Sequence, residues 1–264
     1  MQDIEGHELL KLDRCWLTIG AFDGVHLGHQ KMVQRLVEGA KFEHQPAVVV
    51  TFHPHPQVVL KKISTPFYLT LPSKRSALLR ALGVDFVITL QFDEALANLS
   101  AREFLLTLHK HLHPSRLIVG PDFALGKDRG GITHVLRDMG LEFNYDLEVT
   151  EPVFARGDLV SSSRIRKLIM SGALNQAEEL LGRAYAISGK IGETADQTRR
   201  QFLPAQGSLL PPPGIYATRI AAGLQLTADL IIDPEHNSLK LIEPSSSAIL
   251  PGDEVELIFT GMNR

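Results

Sequence analysis

The stretch TIGAFDGVHLGHQ, positions 18–30, sets two histidines three residues apart inside a glycine-rich bend, where an apolar run gives way to a helical pattern. Residues 15–19 read as a short buried strand, and beyond Gly28 the apolar residues Met32, Val33, Leu36, Val37 and Ala40 recur at helical spacing. A strand that turns directly into a helix is the repeating unit of an α/β sheet. Gly20, Gly24 and Gly28 let the backbone approach a ligand closely. The unpaired N–H groups that open the following helix favour an anion such as a nucleotide phosphate. His26 and His29 are placed to face that anion. The plainer alternative is one core and one surface histidine beside a flexible turn.

The longer pattern G-x-F-D-G-x-H-x-G-H, met here by Gly20, Phe22, Asp23, Gly24, His26, Gly28 and His29, resembles that of the bacterial FAD synthetases, a branch of the nucleotidyltransferase superfamily. The resemblance continues in order through VVVTFHPHP (48–56), IVGPDFALGKDRGG (118–131), VSSSRIRKLI (160–169) and LLGRAY (180–185). Four motifs in sequence are far more specific than a lone H-x-G-H. The resemblance implies a Rossmann-like domain that transfers AMP from ATP to FMN, with Mg²⁺, to give FAD and pyrophosphate. It also implies a smaller all-β domain after it.

Composition sets the outer bounds. The chain has 264 residues, 44% of them hydrophobic, so it can bury a sizeable core, and its length suits two domains. A net charge of −3 gives no global reason to expect nucleic acid or an anionic membrane as partner; small-molecule substrates are expected instead. The single cysteine, Cys15, excludes an intrachain disulfide and a multi-cysteine zinc site. The acidic start MQDIEGHELL does not read as a signal peptide, and no run approaches the ~20 apolar residues of a membrane span. A cytoplasmic protein is expected.

Strand-like runs near 15–19, 47–51, 86–90 and 116–119 alternate with helical patterns near 28–40, 73–82 and 100–112. Continuous apolar runs such as AVVV predict a parallel sheet covered on both faces. Ser100 and Glu103 form a capping-box pair for the third helix. All four motifs then fall beyond the carboxyl ends of strands or at helix starts, where open parallel sheets bind ligands. After about Tyr185 short alternating runs at 215–221, 226–232, 239–242 and 254–259 are separated by Pro-containing turns, and Pro211 to Pro213 read as a rigid lead-in to a strand. The expected division is 1–184 for adenylyl transfer, carrying the reaction by itself, and 185–264 for a shortened riboflavin-kinase-like β-barrel.

Adenylyl transfer has a phosphate oxygen of the acceptor attack the α-phosphorus of ATP in line, so positioning and charge stabilisation can supply most of the catalysis. The expected catalytic residues are His26, His29 and Arg166. Gly20, Phe22, Asp23, Gly24, Gly28, Ser162, Ser163 and Arg164 are expected around ATP, with Ser162 or Ser163 capping a helix. Arg164 and Lys167 read equally well as a solvated basic face. The resemblance places Phe52, His55, Asp122, Phe123 and Arg129 by the flavin and adenine. His53 and His55 could instead ligate a metal, and Asp128 and Arg129 could be plain loop residues; no Mg²⁺ ligand can be named.

The resemblance breaks in the second domain. Where the family carries G-x-P-T-A-N for Mg-ATP, residues 192–207 read GETADQTRRQFLPAQG. The glutamate that serves the family as base falls near Lys240, with Glu243 close by. A barrel without kinase activity is therefore expected. The alternatives are a full bifunctional enzyme, or a non-catalytic protein that binds flavin or nucleotide.

Overall fold

The computed structural model describes residues 2–5, 10–63, 66–193, 199–221, 225–233, 238–242 and 249–263. Its contacts divide the chain into two compact units, Met1–Ser64 with Pro72–Val160, and Thr65–Leu71 with Ser161–Arg264. This division lies well before the expected 184/185 boundary, because two helices beyond 160 group with the barrel.

The first unit runs β1 (Gln2–Glu5), β2 (Cys15–Ile19), α1 (Leu27–Phe42), β3 (Ala47–His53), α2 (Pro56–Leu60), α3 (Pro72–Ala81), β4 (Phe86–Gln91), α4 (Glu94–Ala97), α5 (Ala101–Leu112) and β5 (Pro114–Val119). It continues through β6 (Ala124–Leu125), β7 (Gly131–Ile132), α6 (Thr133–Phe143), β8 (Asp146–Val149) and the hairpin β9 (Phe154–Ala155) and β10 (Asp158–Leu159). Six strands form one parallel sheet in the order β1-β4-β3-β2-β5-β8. Alternate residues of each central strand serve opposite faces. Leu17, Ile19, Val48 and Val50 join Phe104, Leu105, Leu108 and Leu112 of α5, while Trp16, Ala47 and Val49 join Met32, Val33, Leu36 and Leu79 of α1 and α3. Both faces are dry, which is why these strands read as unbroken apolar runs. Cys15 is part of this core, and burial pushes its thiol up to about 12, leaving it inert.

Helix α5 has the expected capping box, Ser100 and Glu103 each accepting from the other's backbone N–H. At its other end His109 stacks on Phe143 with centroids 5.4 Å apart and meets the His113 ring at 5.5 Å, while His113 Nδ1 lies 2.8 Å from the Leu12 carbonyl oxygen. Desolvation, and secondarily the neighbouring His113, hold His109 below the ordinary 6.5. A depressed imidazole contributes stability that is present above 6.5 and is lost as pH falls through 6.5 toward the folded value, because the unfolded chain takes the proton first. His109→Gln should therefore flatten the fall in Tm between neutral pH and pH 5.5, by a small margin since the ring is only half-buried; parallel Tm curves for the two proteins would show that His109 contributes nothing.

The second unit comprises α7 (Ser162–Met170), α8 (Leu174–Leu181), β11 (Ala186–Ile191), β12 (Arg199–Pro204), β13 (Gly214–Ala221), β14 (Gln225–Asp233), β15 (Ser238–Ile242) and β16 (Glu254–Asn263). The six strands close as β11-β12-β15-β14-β13-β16, all antiparallel. Closure removes open strand edges. Tyr216, Thr218, Ile220, Leu230, Leu241 and Leu257 are buried, in step with the two-residue period of a barrel wall. Residues 66–71 add a distant piece of chain to this unit. Phe67 and Tyr68 both donate their N–H to the Gly207 carbonyl at 2.9 Å, and Leu209 N donates to the Tyr68 carbonyl at 2.9 Å. Tyr185 secures the same loop through its hydroxyl, 2.6 Å from the Leu209 oxygen.

Candidate functional site

The turn between β2 and α1 is built under strain. Phe22 and Val25 have φ of +49° and +39°, and Gly24 has +86°. Such a conformation costs roughly 1–3 kcal/mol at each non-glycine position and persists only where the surroundings over-determine it. Here the Phe22 and Val25 side chains are buried against Met32, Val33 and Leu36 of α1. Val25 N donates to the Phe22 carbonyl at 3.0 Å, and Gln30 Nε2 donates to the Val25 carbonyl at 2.8 Å. Phe22 and Asp23 are 1% and 0% exposed, so what they offer the site is the shape of the turn.

That shape delivers His26 as the N-cap of α1, its Nδ1 accepting from His29 N at 3.3 Å. A neutral ring that accepts at Nδ1 carries its proton on Nε2, which makes Nε2 a donor. The His26 and His29 rings stack with centroids 3.6 Å apart at 15°, and Phe22 lies against His29 at 5.1 Å. Two imidazoles at a helix N-terminus, backed by an aromatic ring, have the chemistry to hold an anion.

Gly28 has a clear reason for lacking a side chain: a Cβ there would stand 3.2 Å from Cε1 and 3.3 Å from Nδ1 of His26. Gly28→Ala should push the His26 ring aside without backbone strain. Alanine is the better helix residue, by roughly 1 kcal/mol in a helix interior. The expected result is a Tm unchanged or raised together with a kcat lowered severalfold; unchanged kcat would show that the His26 ring position is not critical.

The second motif leaves β3. His55 is buried and caps α2, its Nδ1 accepting from Gln57 N at 3.0 Å, so that nitrogen is committed to the backbone. Phe52 packs edge-on against Phe92 at 5.6 Å and lies 6.2 Å from Phe104. Phe104, with Leu90, Leu96, Leu99, Leu108 and Gln91, lines a mainly apolar cavity of about 250 Å³. The third motif forms the loop into β6 and β7, where the Arg129 guanidinium donates to the Asp122 carbonyl at 3.0 Å. Asp122 and Arg129 are exposed and Phe123 is half-buried.

In the second unit the helix cap is Ser161, whose Oγ accepts from Arg164 N at 3.3 Å, and not the expected Ser162 or Ser163. Three successive serines left the cap position ambiguous; the backbone turns helical one residue earlier. Ser162 and Ser163 therefore sit in the first turn of α7. Of the basic residues that follow, Arg166 is 8% exposed while Lys167 faces solvent. Arg166 Nε donates to the Phe67 carbonyl at 3.0 Å, and the guanidinium carbon lies 3.9 Å from the centre of the Phe67 ring. Phe67 carried no motif signal, since it meets Arg166, far along the sequence, only in the folded chain.

Among the described residues, no three His, Cys, Asp or Glu side chains come together as a metal site. That is compatible with a Mg²⁺ ion held chiefly by phosphates and waters. Among the same residues no helix is long and apolar enough to cross a membrane.

Comparison with known proteins follows the same lines. A solved structure titled as a macrolide-efflux protein from Streptococcus pneumoniae superposes with a TM-score of 0.88, covering 100% of this chain and 91% of that one; at 21% identity it shows the shared two-part fold. The bifunctional riboflavin kinase/FMN adenylyltransferase of Escherichia coli K12 is 34% identical over 213 residues, 78% of this chain and 68% of that protein. The protein of the same name from Pseudomonas fluorescens is 37% identical over 228 residues, 83% of this chain and 73% of that protein. The family model described as FAD synthetase matches residues 10–164, which contain the histidine turn, the His53–Pro56 loop and the start of α7. The chain belongs to the FAD synthetase family.

Proposed function

We propose that this chain transfers the adenylyl group of ATP to FMN, giving FAD and pyrophosphate, and that its barrel lacks riboflavin kinase activity. The transfer follows from the family. The observation that carries it to particular residues is the stacked His26–His29 pair at the start of α1. A phosphate oxygen of FMN attacks the α-phosphorus, the bond from that phosphorus to the bridging oxygen breaks, and pyrophosphate leaves with the electron pair. No protein group needs to form a covalent bond. His26 Nε2, the His29 ring and the first N–H groups of α1 stabilise charge on phosphate oxygens, where preorganised donors are most effective. Arg166, flattened on Phe67, adds a fixed cation for phosphate, with Ser162, Ser163 and Arg164 beside it on α7. Mg²⁺, arriving with ATP, supplies further neutralisation of phosphate charge.

The acceptor is assigned to a flavin on the mainly apolar cavity lined by Phe104, against which Phe52 lies, since apolar walls suit an aromatic ring system better than a sugar or a charged chain. His55, Asp122, Phe123 and Arg129 are assigned to the surrounding flavin and adenine contacts, and the lone buried Cys15 accords with a cytoplasmic setting. Incubation of the pure protein with ATP, Mg²⁺ and FMN should yield FAD and pyrophosphate in equal amounts by chromatography. Failure to form FAD, with another mononucleotide adenylylated in its place, would overturn the acceptor; failure with every acceptor would favour a protein that only binds nucleotide.

A further inference from the structure

Among the described residues Arg75 of α3 is the largest side chain wholly withdrawn from solvent, and no part of the adenylyl-transfer reading uses it. Its Nη1 donates to the Ala21 carbonyl at 2.6 Å and its Nη2 to the Phe52 carbonyl at 3.0 Å. Those two carbonyls belong to different motifs. Ala21 immediately precedes the strained residues Phe22 to Val25 that present His26, and Phe52 immediately precedes the His53–Pro56 loop. The Ala21 carbonyl also accepts from Thr51 Oγ1 at 3.0 Å, so the end of β3 and the guanidinium grip the same peptide from two elements.

We propose that Arg75 is a positioning residue for the transfer: one buried guanidinium fork ties together the two loops that carry the site histidines and fixes the register between them. Burying a guanidinium carries a large desolvation penalty, and a well-packed apolar side chain often replaces such a group without loss of stability. Stability alone therefore gives a weak reason for a charge here. The fork does what an apolar side chain cannot, because its planar donors reach two carbonyls on separate loops at once. The fixed charge also lies beneath the carboxyl edge of the sheet, where its field favours an anion. Each of the two loops has its own internal bonds, and Arg75 couples them.

The catalytic arm of the test rests on the adenylyl-transfer reading; a second arm does not. Arg75→Met keeps the volume and removes the charge and the donors. It should lower kcat for FAD formation about tenfold to a hundredfold, the scale on which a small misplacement of catalytic groups acts, with a smaller change in KM for ATP. Arg75→Lys, which keeps the charge but not the planar fork, should recover only part of that loss. Independently of turnover, the ring NMR signals of His26, His29, His53 and His55 should shift in Arg75→Met while those of His109, His111 and His113 stay in place. If the Met variant does not fold, Arg75→Gln, which keeps one donor group, carries both arms. A kcat within twofold of the unaltered chain, equal losses in the Lys and Met variants, or shifts spread evenly over the seven histidines just named would overturn the proposal. Absence of FAD formation by the unaltered chain would remove the adenylyl-transfer reading and leave the ring signals to decide the role of Arg75.

Discussion

His29→Ala should lower kcat for FAD formation by roughly 10² to 10³, the loss of about 2.7–4 kcal/mol that follows removal of one preorganised charge-stabilising group. The fold should survive. The bond from residue 29 to the His26 ring is donated by the backbone N–H, which alanine retains, and alanine is the strongest helix former. The half-buried His29 ring leaves a gap beside Phe22, at the surface end of the cluster and not in its centre. His26→Ala is a less clean experiment, since it also deletes the N-cap of α1, at a cost of roughly 1 kcal/mol of stability. Steady-state kinetics with a thermal melt separates the two effects. Near-normal turnover by a folded His29→Ala protein would retire the assignment of His29 as a phosphate stabiliser.

Riboflavin with ATP and Mg²⁺ should give no FMN, under conditions in which FMN gives FAD. Phosphorylating a flavin hydroxyl requires a cradle for Mg-ATP and a base within about 2.6–3.2 Å, or one water, of the proton removed. The base position is expected near Lys240, which lies on β15 between Gln201 of β12 and Ile231 of β14. A protonated amine has no lone pair with which to take that proton. Glu243 and residues 194–198, the other places where a base or an ATP cradle could stand, lie outside the described residues. Chromatography of the riboflavin reaction decides the matter. FMN production that disappears in Glu243→Gln would show that the chain is bifunctional.

Much of the first unit was legible because its signals are local. The apolar runs of β2 and β3, the period of α1 and the Ser100–Glu103 box each arise within a few residues, and each stands where it was expected. The elements that escaped notice lack such signals. Helix α6 has no side-chain cap at Ile132, β1 is four residues with charges at two of them, and β12 opens with two arginines and a glutamine. The histidine pair was readable as a motif, but its supports were not. In the sequence Arg75 is one of three basic residues on α3 and looks like any solvated helix face; only the folded chain turns it inward onto Ala21 and Phe52. Phe67 is equally silent, because its partner Arg166 lies 99 positions away.

The anchoring of residues 66–71 by 207–209 has a consequence for synthesis on the ribosome. Phe67 and Tyr68 leave the ribosome roughly 140 residues ahead of Gly207 and Leu209, an interval of roughly 7 to 28 s at ordinary elongation rates. By the end of that interval the histidine turn and α7 have been made, yet the bonds that Phe67 and Tyr68 give the Gly207 carbonyl have not formed. A nascent chain halted before Gly207 would carry all of residues 10–164, which the family model matches, and still lack these bonds. The segment 207–209 is thus a late-made piece of the chain that holds an early-made one.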